Sequence, residues 1–131
     1  MLLFITNIRI ISADIWYKQG LSSERLAQWD AAIPLYQQAT DLASNEDFYY
    51  LFLGRAYMEK GKTASGQERE YWLDLSESAL RKAREIAPLN TDHSANLARL
   101  YRSWGALTQG QQRTDKLLQA VDYYADATSL S

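Results

Sequence analysis

Ala13-Asp14-Ile15-Trp16-Tyr17-Lys18-Gln19-Gly20 sets a large aromatic four residues before a glycine; Ala32 follows that glycine by twelve, with Tyr36 and Ala39 beyond it. These residue types fit two helices packed as a hairpin. Gly20 and Ala32 let the helix backbones approach closely, while Trp16, Tyr36 and Ala39 interlock as large and small partners across the contact. The first helix is expected over about 13–28 and the second over about 30–43. Pro34 is read as lying in the first turn of the second helix, where a missing amide hydrogen has little or no helical partner.

The same plan returns twice. Phe48, Tyr50, Leu53, Gly54 and Tyr57 precede Leu80, Ala83 and Pro88, and Leu97, Ala98 and Tyr101 precede Ala120, Tyr124 and Ala127. In both later copies the second half is displaced by ten residues, because the small residue due at 66 is Ser76 and the one due at 110 is Ala120. The period is therefore 34 residues from Ala13 to Asp47 and 44 from Asp47 to Thr91. Trp72, Leu75, Ala79, Ala83 and Ile86 recur at helical spacing, as do Leu117, Val121, Tyr124 and Thr128, which assigns the extra length to the start of each second helix. Helices are predicted over 67–87 and 111–130, entered from turns at 61–66 and 108–110. Ser44 and Asp47 have the spacing of a capping box for the helix that opens the second copy.

This pattern resembles the tetratricopeptide repeat. The resemblance implies an all-α, helical-hairpin solenoid of three repeats, about 13–46, 47–90 and 91–131, with lengthened second helices in repeats two and three. Gln19, Ser23 and Ser94 stand where larger apolar residues are usual, so the contacts there are expected to be loose. No polar capping helix is read before Ser131, and the last helix is expected to be covered by further chain or by another subunit.

Composition narrows the function classes. The chain of 131 residues is 47% hydrophobic and 23% charged, which suits an ordinary globular domain. Fourteen basic against sixteen acidic side chains give no general attraction to nucleic acid. The absence of cysteine excludes disulfides, thiolate metal sites and a cysteine nucleophile, and leaves the compartment open, with extracellular and cytoplasmic placement both compatible and membrane association a further alternative. Residues 1–12 are densely apolar but too short to span a bilayer. They lack the basic start and small-residue cleavage site of a signal peptide. They are read either as a cap over the open end of the stack or as the end of a membrane helix.

No Gly-rich phosphate loop, zinc-ligand pattern or nucleophile elbow is present, so no enzyme activity, cofactor or metal is expected. His93 is the only histidine, with Asp92 and Ser94 as sequence neighbours that point elsewhere on a helix, and is read as a capping or packing residue. Glu70, Asp74 and Glu77 share a helical stripe and are read as a solvated face rather than a cation site.

In tetratricopeptide proteins the first helix of each repeat lines a concave groove that binds a peptide or another protein. Carried onto this sequence, the groove takes Asp14, Tyr17, Lys18 and Leu21 from repeat one. Repeat two contributes Phe48, Leu51, Phe52, Arg55 and Met58, and repeat three Asp92, Asn96, Arg99 and Arg102. Arg55, Arg99 and Arg102 would present three guanidinium groups near Tyr17 and Phe52, suited to carboxylates of an acidic peptide or of an anionic glycan. The competing reading pairs them with Asp14, Glu24, Glu59 and Asp92 as a solvated charged face. The carboxylate clamp of chaperone-tail receptors is not matched, since its places read Tyr17, Leu21, Phe52, Asp92 and Asn96, of which Asn96 alone is a clamp-type residue.

The segments 13–19 and 88–101 are also similar to the repeat domains that follow the membrane helices of some bacterial O-antigen ligase or polymerase-like proteins, with 1–11 resembling the end of a membrane span. Three function classes follow: a protein-binding scaffold, an accessory domain of a membrane-embedded glycan-handling protein, and a structural self-association module that forms a homo-oligomer.

Overall fold

The computed structural model describes residues 2–130; Met1 and Ser131, the outer ends of segments 1–12 and 91–131, lie outside the described residues. Among the described residues the chain is all-helical, with no strand. The six helices are α1 (Leu2–Arg25), α2 (Trp29–Leu42), α3 (Asp47–Thr63), α4 (Gly66–Ile86), α5 (Thr91–Ala106) and α6 (Gly110–Leu130). Each helix packs on the next, most extensively within the pairs α1–α2, α3–α4 and α5–α6, and α3 also touches α5.

The 44-residue period is present in the backbone. α3 and α5 begin at 47 and 91, α4 and α6 begin at 66 and 110, and these last two end at 86 and 130. Gly66 and Gly110 enter α4 and α6 with φ of +60° and +64°, a conformation that favours glycine. Just inside each helix an arginine turns back on the loop: Arg69 Nε donates to the Ala64 carbonyl at 2.9 Å and Arg113 Nε to that of Thr108 at 2.8 Å. The same turn is thus built twice.

Small residues set the distance within each pair. A Cβ on Gly20 would lie 2.5 Å from the Tyr36 ring, and one on Gly54 would lie 2.6 Å from Leu80. Between pairs, polar side chains make the joints. Gln37 Nε2 donates to Tyr57 Oη at 2.7 Å and Lys60 pairs with Asp30 at 2.8 Å, fixing α3 on α2. On α4, Tyr101 Oη donates to Glu77 at 2.7 Å and accepts from Arg81 at 2.9 Å, while Trp104 Nε1 donates to Glu70 at 2.9 Å. Glu70 and Glu77 are therefore anchors for α5 rather than a solvated face, and of that stripe Asp74 alone is left exposed.

Several local expectations are corrected. The apolar segment and the first helix form one element, α1, which runs from Leu2 to Arg25 and whose residues from Leu2 to Ile11 are exposed. Pro34 lies inside α2, past its first turn, where its ring replaces an amide that would have bonded the Asp30 carbonyl. The Ser44–Asp47 capping box does not form, because Glu46 is the N-cap residue of α3 and makes no side-chain cap bond. Asp47 is engaged elsewhere, by His93 and Asn90. Ser94, expected to be loose, is fully buried and bonded both to Arg84 and to Asp126 of α6.

Candidate functional site

Aromatic side chains of α1, α2 and α3 gather around Tyr17. Its half-buried ring lies 5.3 Å from Phe48, 5.2 Å from Tyr49, 5.2 Å from Phe52 and 6.1 Å from Tyr36, centroid to centroid. Phe48 and Phe52 are themselves half-buried, so the cluster forms a partly open aromatic floor. Arg55 lies over Phe52 with its guanidinium carbon 5.0 Å from the ring centroid. Burial, followed by the Glu24 carboxylate, raises the Tyr17 and Tyr36 hydroxyls above the usual phenol range, so both stay protonated.

The predicted site residues divide into three groups. Tyr17, Phe48, Phe52 and Arg55 come together as described, with Leu21 half-buried against the Tyr36 core. Arg99 and Arg102 are exposed on α5, and Lys18 is exposed but held by Asp14 at 2.8 Å, a bond that also raises its pKa. Met58 and Leu51 do not belong to an open face. Each is 7% exposed and packs in the core shared with Leu73, Leu97 and Leu100, because α3 touches α5 directly along that line. Asn96 is also buried, with Nδ2 donating to the Asp92 carbonyl at 2.8 Å and Oδ1 lacking a partner.

Pairing decides the electrostatics of this face. Two of the carboxylates expected to neutralise the arginines are taken by lysines, Asp14 by Lys18 and Glu59 by Lys62 at 3.3 Å. Among the described residues Arg55, Arg99 and Arg102 make no ion pair. Arg55, beside the Phe52 ring, and Arg99 and Arg102, exposed on α5, are thus without a carboxylate partner, and a guanidinium in that state can take up a carboxylate bidentately.

One contact had no sequence signal. His93 is fully buried and its Nε2 lies 2.6 Å from Asp47 Oδ2, 46 residues away in the chain. A carboxylate only accepts, so Nε2 carries the hydrogen, and Nδ1 is left buried without a partner. Ser94 turns instead toward Arg84 and Asp126, so no hydroxyl joins the His93–Asp47 pair. The pair ties the start of α5 to the start of α3. Among the described residues no three His, Asp or Glu side chains gather to hold a metal ion. No protein-family model matches the chain, and no curated protein matches it.

Proposed function

We propose that the chain is a three-repeat tetratricopeptide-type scaffold that binds an acidic segment of a partner protein on the face formed by α1, α3 and α5. The observation that carries this reading is the unpaired state of Arg55, Arg99 and Arg102 while Asp14 and Glu59 are already neutralised by lysines. Partner carboxylates would complete those arginines, and apolar partner side chains would rest on Phe48, Phe52 and Tyr17. The recurrence of the helix boundaries and of the Gly66 and Gly110 turns supports the repeat reading. The receptor face rests on packed helices, so little ordering cost falls on it.

The test is fluorescence anisotropy with a labelled peptide of alternating Glu and Phe. Arg99 is exposed, so Arg99→Glu leaves the helix content unchanged and abolishes binding. Retained binding by that variant refutes the basic face. Competition by an oligogalacturonate would move the ligand class from acidic peptide to anionic glycan.

A further inference from the structure

The joint between one helical pair and the next is built twice to the same register. Gln37 Nε2 donates to Tyr57 Oη at 2.7 Å across α2 and α3, and Arg81 Nη2 donates to Tyr101 Oη at 2.9 Å across α4 and α5. From 37 to 81 and from 57 to 101, donor and acceptor each advance by 44 residues. A second contact accompanies the first. Lys60 pairs with Asp30 at 2.8 Å, and Trp104, 44 residues after Lys60, donates to Glu70 at 2.9 Å. The close approaches of Gly20 to Tyr36 and of Gly54 to Leu80 align the first pair with the second, setting α1 on α3 at an offset of 34 and α2 on α4 at 44.

The two ends of the row carry the halves of a third joint, and both halves have lost their charges. Moved on by 44 residues, Asp74, Glu77 and Arg81 of α4 become Leu118, Val121 and Ala125 of α6. All three are exposed, Leu118 at 59% and Val121 at 61%. Moved back by 34, Tyr57 and Lys60 of α3 become Ser23 and Leu26. Leu26 is the residue after α1, its amide still bonded to the Ser23 carbonyl at 3.1 Å, and it is 69% exposed. Where the first joint sets Lys60 against Asp30, the ends offer Leu26 and Leu118. Where it sets Tyr57 against Gln37, they offer the small pair Ser23 and Ala125. Each end is therefore matched by the other end of the same chain, in register and in polarity.

We propose that copies of this chain stack head to tail, the end of α1 of one copy on α6 of the next, by the step that sets α3 on α2 and α5 on α4. The contact joins two different surfaces, so each addition leaves one end open and the assembly grows as a row rather than closing as a twofold dimer. Residues 2–11 of α1 precede the positions that align with α3 and are not needed for this joint. The proposal stands on the recurrence of the joint and is independent of the arginine face.

Sedimentation velocity of the full chain over a range of concentrations tests it. The parent forms species larger than a dimer as concentration rises. Leu118→Asp and Leu26→Lys, each at an exposed position, keep the circular dichroism of the parent and associate about a hundredfold more weakly, because each buries an unpaired charge in the joint. The double variant, Leu26→Lys with Leu118→Asp, rebuilds the Lys60–Asp30 pairing between copies and recovers association to within about tenfold of the parent. The proposal is overturned if the parent stays monomeric or stops at a dimer, if either single variant associates like the parent, or if the double variant is no better than the singles. It is also overturned if Ile8→Asp abolishes association and Leu118→Asp spares it, which would place the contact at the start of α1.

Discussion

Gly61 of α3 and Gly105 of α5 occupy equivalent places 44 residues apart, and alanine at the two should behave differently. A Cβ at Gly61 would meet Leu73 Cδ2 at 2.8 Å and Trp72 Cβ at 3.3 Å, and one at Gly105 would meet Leu117 Cδ2 at 2.8 Å. The first contacts are alike, but the neighbours are not. Leu73 is 0% exposed and has nowhere to move, whereas Leu117 is 38% exposed and can swing into water. Replacing a helical glycine by alanine gains up to about 1 kcal/mol of backbone entropy, less near a helix end, where both residues lie. Overpacking a fixed neighbour costs about 1–3 kcal/mol. Gly61→Ala is therefore expected to destabilise by about 1–2 kcal/mol, and Gly105→Ala to stay within about 0.5 kcal/mol of the parent. In a chain of this size that difference separates the melting temperatures by roughly 3–8 °C. Thermal and urea melts of the two variants side by side measure it. Equal losses, or a larger loss for Gly105→Ala, would refute the reasoning, since they would mean that Leu117 is held as firmly as Leu73.

Two further outcomes follow from the joints between helices. Tyr101→Phe removes the hydroxyl that links Glu77 and Arg81 to α5, and urea unfolding should show a loss of about 1–2 kcal/mol, as for a buried hydrogen-bonded group. Asp126 is held below its ordinary pKa of 3.8 by the Ser94 hydroxyl and then by Arg84, whose Nη2 lies 3.1 Å from Oδ2. Because the folded value lies below the unfolded one, the tie contributes fully above about pH 4 and is lost as pH falls through the folded value. Melting temperature followed from pH 6 to pH 2 should fall less steeply for Asp126→Asn than for the parent, and parallel profiles would count against the tie.

The helical elements were legible because their signals are local. Gly66, Gly110 and the 44-residue recurrence are written in the chain itself, and the boundaries predicted for α4 and α6 lie within a residue of those observed. The joints were not legible. Glu70 and Glu77 look like any solvated stripe until Trp104 and Tyr101 arrive from another helix, and no local spacing links Asp47 to His93. The candidate face was legible in part. Tyr17, Phe52 and Arg55 meet because α1 and α3 are neighbours, whereas Met58 and Leu51 are lost to the core because α3 also touches α5, a contact that helical periodicity does not encode. Pro34 was misplaced because α2 begins earlier than a proline-started helix would.

Amide and arginine side-chain NMR of the full chain, titrated with an acidic Glu–Phe peptide, tests the binding reading most directly. The account predicts saturable shifts at Arg55, Arg99 and Arg102 and at the rings of Tyr17 and Phe52, weakening as salt is raised. Shifts confined to α6 or to the first turns of α1, or no shifts at all, would contradict it.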